Sequence, residues 1–109
     1  MFVWFDLRTK EADSASEFYE QLLGWDVQGQ EGHAMIAGEN GPWAAIVSHA
    51  NADDAWVPYV QVDDLHEAHT KAVDLGATVL QEPAEGPAGR YSTVRDTGGA
   101  PFALFQPRG

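Results

Sequence analysis

The chain of 109 residues contains no cysteine. That excludes disulfide staples, thiol catalysis and cysteine-ligated zinc. Basic residues are scarce: six Lys and Arg stand against seventeen Asp and Glu, for a net charge of −11. The shortage runs through both halves, with ten acids against two bases in residues 1–55 and seven against four in residues 56–109. A surface of this sign repels nucleic acid and anionic membrane lipid, while small neutral or cationic molecules are tolerated. No apolar run approaches the roughly 18 residues of a membrane span. Met1–Asp6 lacks the basic start and long apolar stretch of a signal peptide, so a cytoplasmic protein is expected. No Gly-x-Ser-x-Gly, phosphate loop or dinucleotide fingerprint is present.

What is there is ordinary for a globular protein: 44% apolar and 21% charged residues. A chain of this length buries roughly 65% of its extended surface, enough for one domain spanning 1–109. Residues 2–8 alternate as a strand, with Val3, Phe5 and Leu7 on one face and Phe2, Trp4, Asp6 and Arg8 on the other. Ala15, Phe18, Tyr19, Leu22 and Leu23 then recur at helical spacing. Ser14 with Glu17 forms a capping box in this reading, and Gly24 a left-handed cap. Strands follow over about 25–30, 33–38 and 43–49, and 51–55 reads as a linker. The order then repeats: a strand over 56–62, a helix from an Asp64/Glu67 capping box to Gly76, and strands near 78–82, 90–95 and 101–106. Leu23-Gly24 falls on Leu75-Gly76 and Ala15 on Ala68, an offset of 52–53 that marks an internal duplication. The fold class is therefore α+β: two tandem βαβββ modules, about 1–50 and 56–108, whose curved mixed sheets enclose a cleft. Trp4 and Asp6 line that cleft from the first strand, Val57, Tyr59 and Gln61 from its counterpart, and Ala103 and Phe105 from the last strand. Phe102 and Leu104 pack on the helix instead. Phe5, Phe18, Trp43 and Phe102 are expected in the core, with Trp25 packing beside the first helix cap.

The run Glu11, Phe18-Tyr19, Leu23-Gly24-Trp25 resembles the helix signature of the vicinal oxygen chelate superfamily, which includes glyoxalases, bleomycin-resistance proteins and extradiol dioxygenases. Val62-Asp63-Asp64-Leu65, Leu75-Gly76-Ala77, Gly89-Arg90 and Asp96-Thr97-Gly98-Gly99-Ala100-Pro101-Phe102 are similar to stretches that occur in this order in glyoxalase-like domains. The likeness spans nearly the whole chain. It implies a cleft in which the family's enzymes hold a divalent metal, with ligands from the first strand and an acid from the last strand of each module. Carried onto this chain, those positions are Trp4 and Val57 for the histidine-type ligands, and Ala44 and Ala103 for the acids. None of the four side chains can coordinate a metal. A one-residue slip to Asp6 or Tyr59 still does not supply two histidines and an acid. No metal and no other cofactor is therefore expected.

The other polar clusters have plainer explanations. His66 and His69 stand three apart on one helix, a metal-compatible spacing without an evident third ligand, and fit a solvated or edge-of-core role. His49 and His33 fit loop or turn positions. Asp64 is explained as a helix cap and Asp53-Asp54 as linker solvation. Trp4, Tyr59 and Phe105 are different, because large flat rings at vacated metal positions suit stacking on a planar ligand or filling of the cavity. Three readings stay open. One is a metal-less, antibiotic-sequestering binder of a planar or cationic organic molecule, built as a homodimer like the bleomycin-resistance proteins, with Asp6 countering a ligand cation and Gln61 hydrogen-bonding. The second is a lyase, isomerase or dioxygenase-type enzyme of the same superfamily, with Asp6 or Tyr59 as general acid or base. The third is a dimerising module without ligand.

Overall fold

A computed structural model describes residues 1–30, 32–48 and 54–108. Its elements run β1 (Phe2–Thr9), α1 (Ala12–Leu23), β2 (Asp26–Gln30), β3 (His33–Gly38), β4 (Gly41–Ser48), β5 (Ala55–Gln61), α2 (Leu65–Asp74), β6 (Thr78–Glu85), β7 (Gly89–Arg95) and β8 (Pro101–Pro107). The fold is α+β, with the order βαβββ occurring twice. Most of the expected linker, and His49, lie outside the described residues. By contacts the chain forms two units, Trp4–Val57 and Met1–Val3 with Pro58–Gly109. No helix among the described residues is long and apolar enough to cross a membrane.

In the first unit the strands follow the order β2-β3-β4-β1, with β1 parallel to β4 and the other pairs antiparallel. β1 alternates as its sequence demands. Leu7 joins Ala12 of α1 and Ala34, Ile36, Ala44 and Ile46 in a buried core, with Phe5 packed against it. Ala44 corrects the sequence reading. It pairs with Phe5 and belongs to the helix-side core, so the residue beside Asp6 on the opposite face is Ala45. The cause is a one-residue bulge: Ile36 pairs with Ala44 but Ala37 with Pro42, which leaves Trp43 as the extra residue. A bulge turns its two residues toward the same side. Trp43 thus joins Ala44 over the core, 6.1 Å from the Phe5 ring and 5.0 Å from that of Trp25.

α1 also departs from expectation at its start. Its cap residue is Glu11, without a side-chain cap bond, and Ser14 lies inside the helix. The Thr9 hydroxyl accepts the Glu11 N–H and turns the chain into the helix one step earlier. The far end is as expected, with Gly24 left-handed at φ 70° and its N–H bonded to the Glu20 carbonyl. Phe18, expected in the core, is 57% exposed. Tyr19 and Ala15 take the sheet-facing side of α1, and Phe18, about 100° around the helix from Tyr19, is rotated outward.

The second unit follows the order β5-β8-β7-β6, again with its first and last strands parallel. The Asp64 side chain accepts the Glu67 N–H at 3.0 Å and starts α2. Gln106 of β8 accepts the Leu65 N–H at 2.8 Å, which ties that start to the sheet while Leu65 is fully buried. Gly76, at φ 105°, follows the Leu75 cap. Replacing a capping Asp by Ala typically costs about 1 kcal/mol. Asp64→Ala should therefore lower the unfolding free energy by about that amount in urea melts, whereas Ser14→Ala should be close to neutral.

Candidate functional site

Ser92 of β7 is hydrogen-bonded to His69 of α2 and so faces the helix. Its neighbours Tyr91 and Thr93 therefore face the other way. Cross-strand pairing sets two rows on that second face: Tyr59, Ala103 and Thr93 in one, Gln61, Phe105 and Tyr91 in the next. The Tyr59 ring lies 6.3 Å from those of both Tyr91 and Phe105. Ala103 and Thr93 are fully buried, Tyr59 is nearly so, Tyr91 and Phe105 are half-buried, and Gln61 is exposed. Thr93 Oγ1 is buried with no hydrogen-bond partner among the described residues. An unsatisfied buried hydroxyl costs about 1–3 kcal/mol, so the face carries a polar group placed at a stability cost.

In the first unit Trp4 and Asp6 share the face of β1 turned away from α1. The Trp4 indole N–H donates to Asp6 Oδ1 at 2.7 Å, which orients the ring and engages the carboxylate. Ala45 is paired with Asp6 and almost fully buried. Val57 is buried and points opposite to its neighbour Trp56, whose indole N–H donates to the Tyr19 hydroxyl on the helix side at 3.1 Å. Of the residues picked out from the sequence, Tyr59, Gln61, Ala103 and Phe105 are adjacent on one sheet face, and Trp4 with Asp6 form a bonded pair on another.

Sequence reasoning missed Ala45, Tyr91 and Thr93. Alternation along 90–95 carried the signal for the last two, since Tyr91, Thr93 and Arg95 form one period-two set. The bulge that moved Ala44 left no such trace.

The donor set does not fit a divalent metal. Trp4, Ala45, Val57 and Ala103 offer no ligand atom of the required kind. Among the described residues no group of three or more His, Asp or Glu side chains is placed to hold a metal ion. His69 is buried rather than solvated, with Nδ1 2.9 Å from Ser92 Oγ and Nε2 3.7 Å from a Glu82 carboxylate oxygen. This Glu-His-Ser order resembles a nucleophile relay, but Ser92 is 0% exposed and no substrate can reach it. The pair satisfies two polar groups between α2 and β7.

Residues 3–105 match the family model described as a glyoxalase-like domain. The chain belongs to that family. CFP32 of Mycobacterium tuberculosis, a protein named as a glyoxylase, is 31% identical over 115 residues, covering 94% of this chain and 44% of its own length. DnrV of Streptomyces peucetius, named as an anthracycline biosynthesis protein, is 30% identical over 122 residues, covering 96% of this chain and 41% of its own. The glyoxalase-like chain thus spans less than half the length of these relatives. A methylmalonyl-CoA epimerase of Streptomyces coelicolor shares the fold at a TM-score of 0.64 and 18% identity, over 99% of this chain and 97% of the epimerase. Protein BH1468 of Bacillus halodurans does so at a TM-score of 0.69 and 11% identity, over 100% and 95%.

The orphaned hydroxyl gives a direct test. Thr93→Val keeps the branched shape and removes the unsatisfied group, so it should raise the unfolding free energy by about 1 kcal/mol in denaturant melts. A loss of stability would show that the hydroxyl is satisfied in solution.

Proposed function

We propose that this glyoxalase-like protein binds a planar organic molecule without the help of a metal, as a homodimer in the cytoplasm. The observation that carries the reading is the row of half-buried Tyr91 and Phe105 with exposed Gln61 on one sheet face, each of the two rings 6.3 Å from that of Tyr59. Rings supply contact area without direction, and a polar group beside them supplies direction. Gln61 offers an amide on this face. In the first unit, taken by itself, Trp4 is an aromatic surface with the Asp6 carboxylate bonded to it, which suits a ligand carrying positive charge. The chain's net charge of −11 acts in the same direction. DnrV, a relative over most of this chain, is named as an anthracycline biosynthesis protein, which supports a small organic molecule as the ligand.

A thermal-shift panel of planar aromatic molecules, cationic and neutral, tests the reading. A ligand of the native state raises the melting temperature in a saturable way. The rise should shrink in Phe105→Leu and in Gln61→Ala. A panel in which no molecule raises it would favour a module that only dimerises, and conversion of the bound molecule would make the protein an enzyme. Elemental analysis of protein purified without chelator should find no stoichiometric metal. One equivalent of zinc, nickel, iron or manganese would overturn the metal-less reading.

The dimer has a separate basis. β2 closes the first module's sheet on one side and β6 the second module's, and open strand edges favour pairing or covering. Sedimentation at micromolar concentration should give twice the chain's 11.9 kDa. The mass of a single chain would contradict it.

A further inference from the structure

The first unit has a concave surface on the helix side of its sheet. It is a groove of about 440 Å³, within the range of small-molecule sites. Its apolar wall is made by Leu7 of β1, Phe18 and Tyr19 of α1, and Trp56 of β5. The two charged side chains that line it, Glu11 and Asp54, are both acidic. From these features we propose that the groove binds a small organic cation with an apolar body, at a site separate from the Thr93 face.

Four observations carry this. The wall is held rigidly: Tyr19 stacks on Trp25 at 5.2 Å and 14°, and the Trp56 indole N–H bonds to the Tyr19 hydroxyl. Preorganised aromatic walls avoid the entropy cost of ordering them on binding. Phe18 is 57% exposed, with its ring at 5.2 Å from Tyr19 in an edge contact, so the groove presents an aromatic surface to solvent. Aromatic faces attract cations through their quadrupole, most of all when acids stand nearby. The Lys10 backbone N–H donates to Asp54 Oδ1 at 3.0 Å and fixes one carboxylate beside the aromatic wall. The whole first half, with ten acids against two bases, raises the local concentration of cations around the groove.

The test uses the full chain and benzyltrimethylammonium as the probe, with benzyl alcohol as its neutral counterpart. The Trp56 indole N–H resonance, in a nitrogen-15 spectrum, reports on the groove. Benzyltrimethylammonium should shift it saturably, and benzyl alcohol should bind at least about fivefold more weakly. Phe18→Ala, at an exposed position, should weaken probe binding by a similar factor. Glu11→Gln should weaken it less and reduce its salt dependence, which keeps the test alive if Phe18→Ala does not fold. Phe105→Leu, on the other face and in the other unit, should leave it unchanged, so failure here and failure of the planar-ligand reading are told apart. An unmoved Trp56 resonance at millimolar probe, equal affinity for benzyl alcohol, or unaltered binding in both Phe18→Ala and Glu11→Gln would each overturn the proposal.

Discussion

Each module depends on one parallel strand pair, β1 with β4 and β5 with β8. A parallel ladder has a fixed register, and register together with the period of two assigns every side chain to a face. Through it Asp6 stands beside Ala45, and Tyr59 beside Ala103. The same pairing puts Phe5 beside Ala44 and sends both toward α1. A slip of one residue in either pair would exchange core and second face throughout the module. The burial of Ala34, Ile36, Ala44 and Ile46 on the helix side makes such a slip costly in the first module.

The two modules solve the packing under their helices differently. Below α1 lie rings: Phe5 and Trp43 of the sheet and Trp25 beside it, with Tyr19 and Trp56 joined by a hydrogen bond. Below α2 the sheet carries Val94 and Leu104 with a polar His69–Ser92 contact. The aromatic solution leaves Phe18 outside a layer that is already full, and a groove between it and Trp56. The second solution fills the space beneath α2, at the cost of burying polar groups that must pair with each other. One duplicated order of elements therefore yields two surfaces of different chemistry.

The faces turned away from the helices also differ between the modules. In the first, Trp4 is bonded to Asp6, which stands beside Ala45. In the second, the rings of Tyr59, Tyr91 and Phe105 share the face with Ala103 and the buried Thr93 hydroxyl.

Much of this was legible in the chain itself. The duplication, the order of all ten elements, the Asp64 cap and the turn at Gly24 follow from periodicity and local chemistry, which act over a few residues and leave their pattern in the sequence. The faces of β1, β5 and β8 follow from alternation, and the lack of ligand atoms at Trp4, Val57 and Ala103 follows from residue type. The tertiary structure decided what local rules do not encode. The bulge at Trp43 depends on how β3 and β4 pair, and it moved Ala44 into the core. The outward position of Phe18 depends on which side of α1 the sheet covers. The burial of His69 against Ser92, and of Thr93 without a partner, depends on strands and helices distant in the chain, whose contacts no window of neighbouring residues contains.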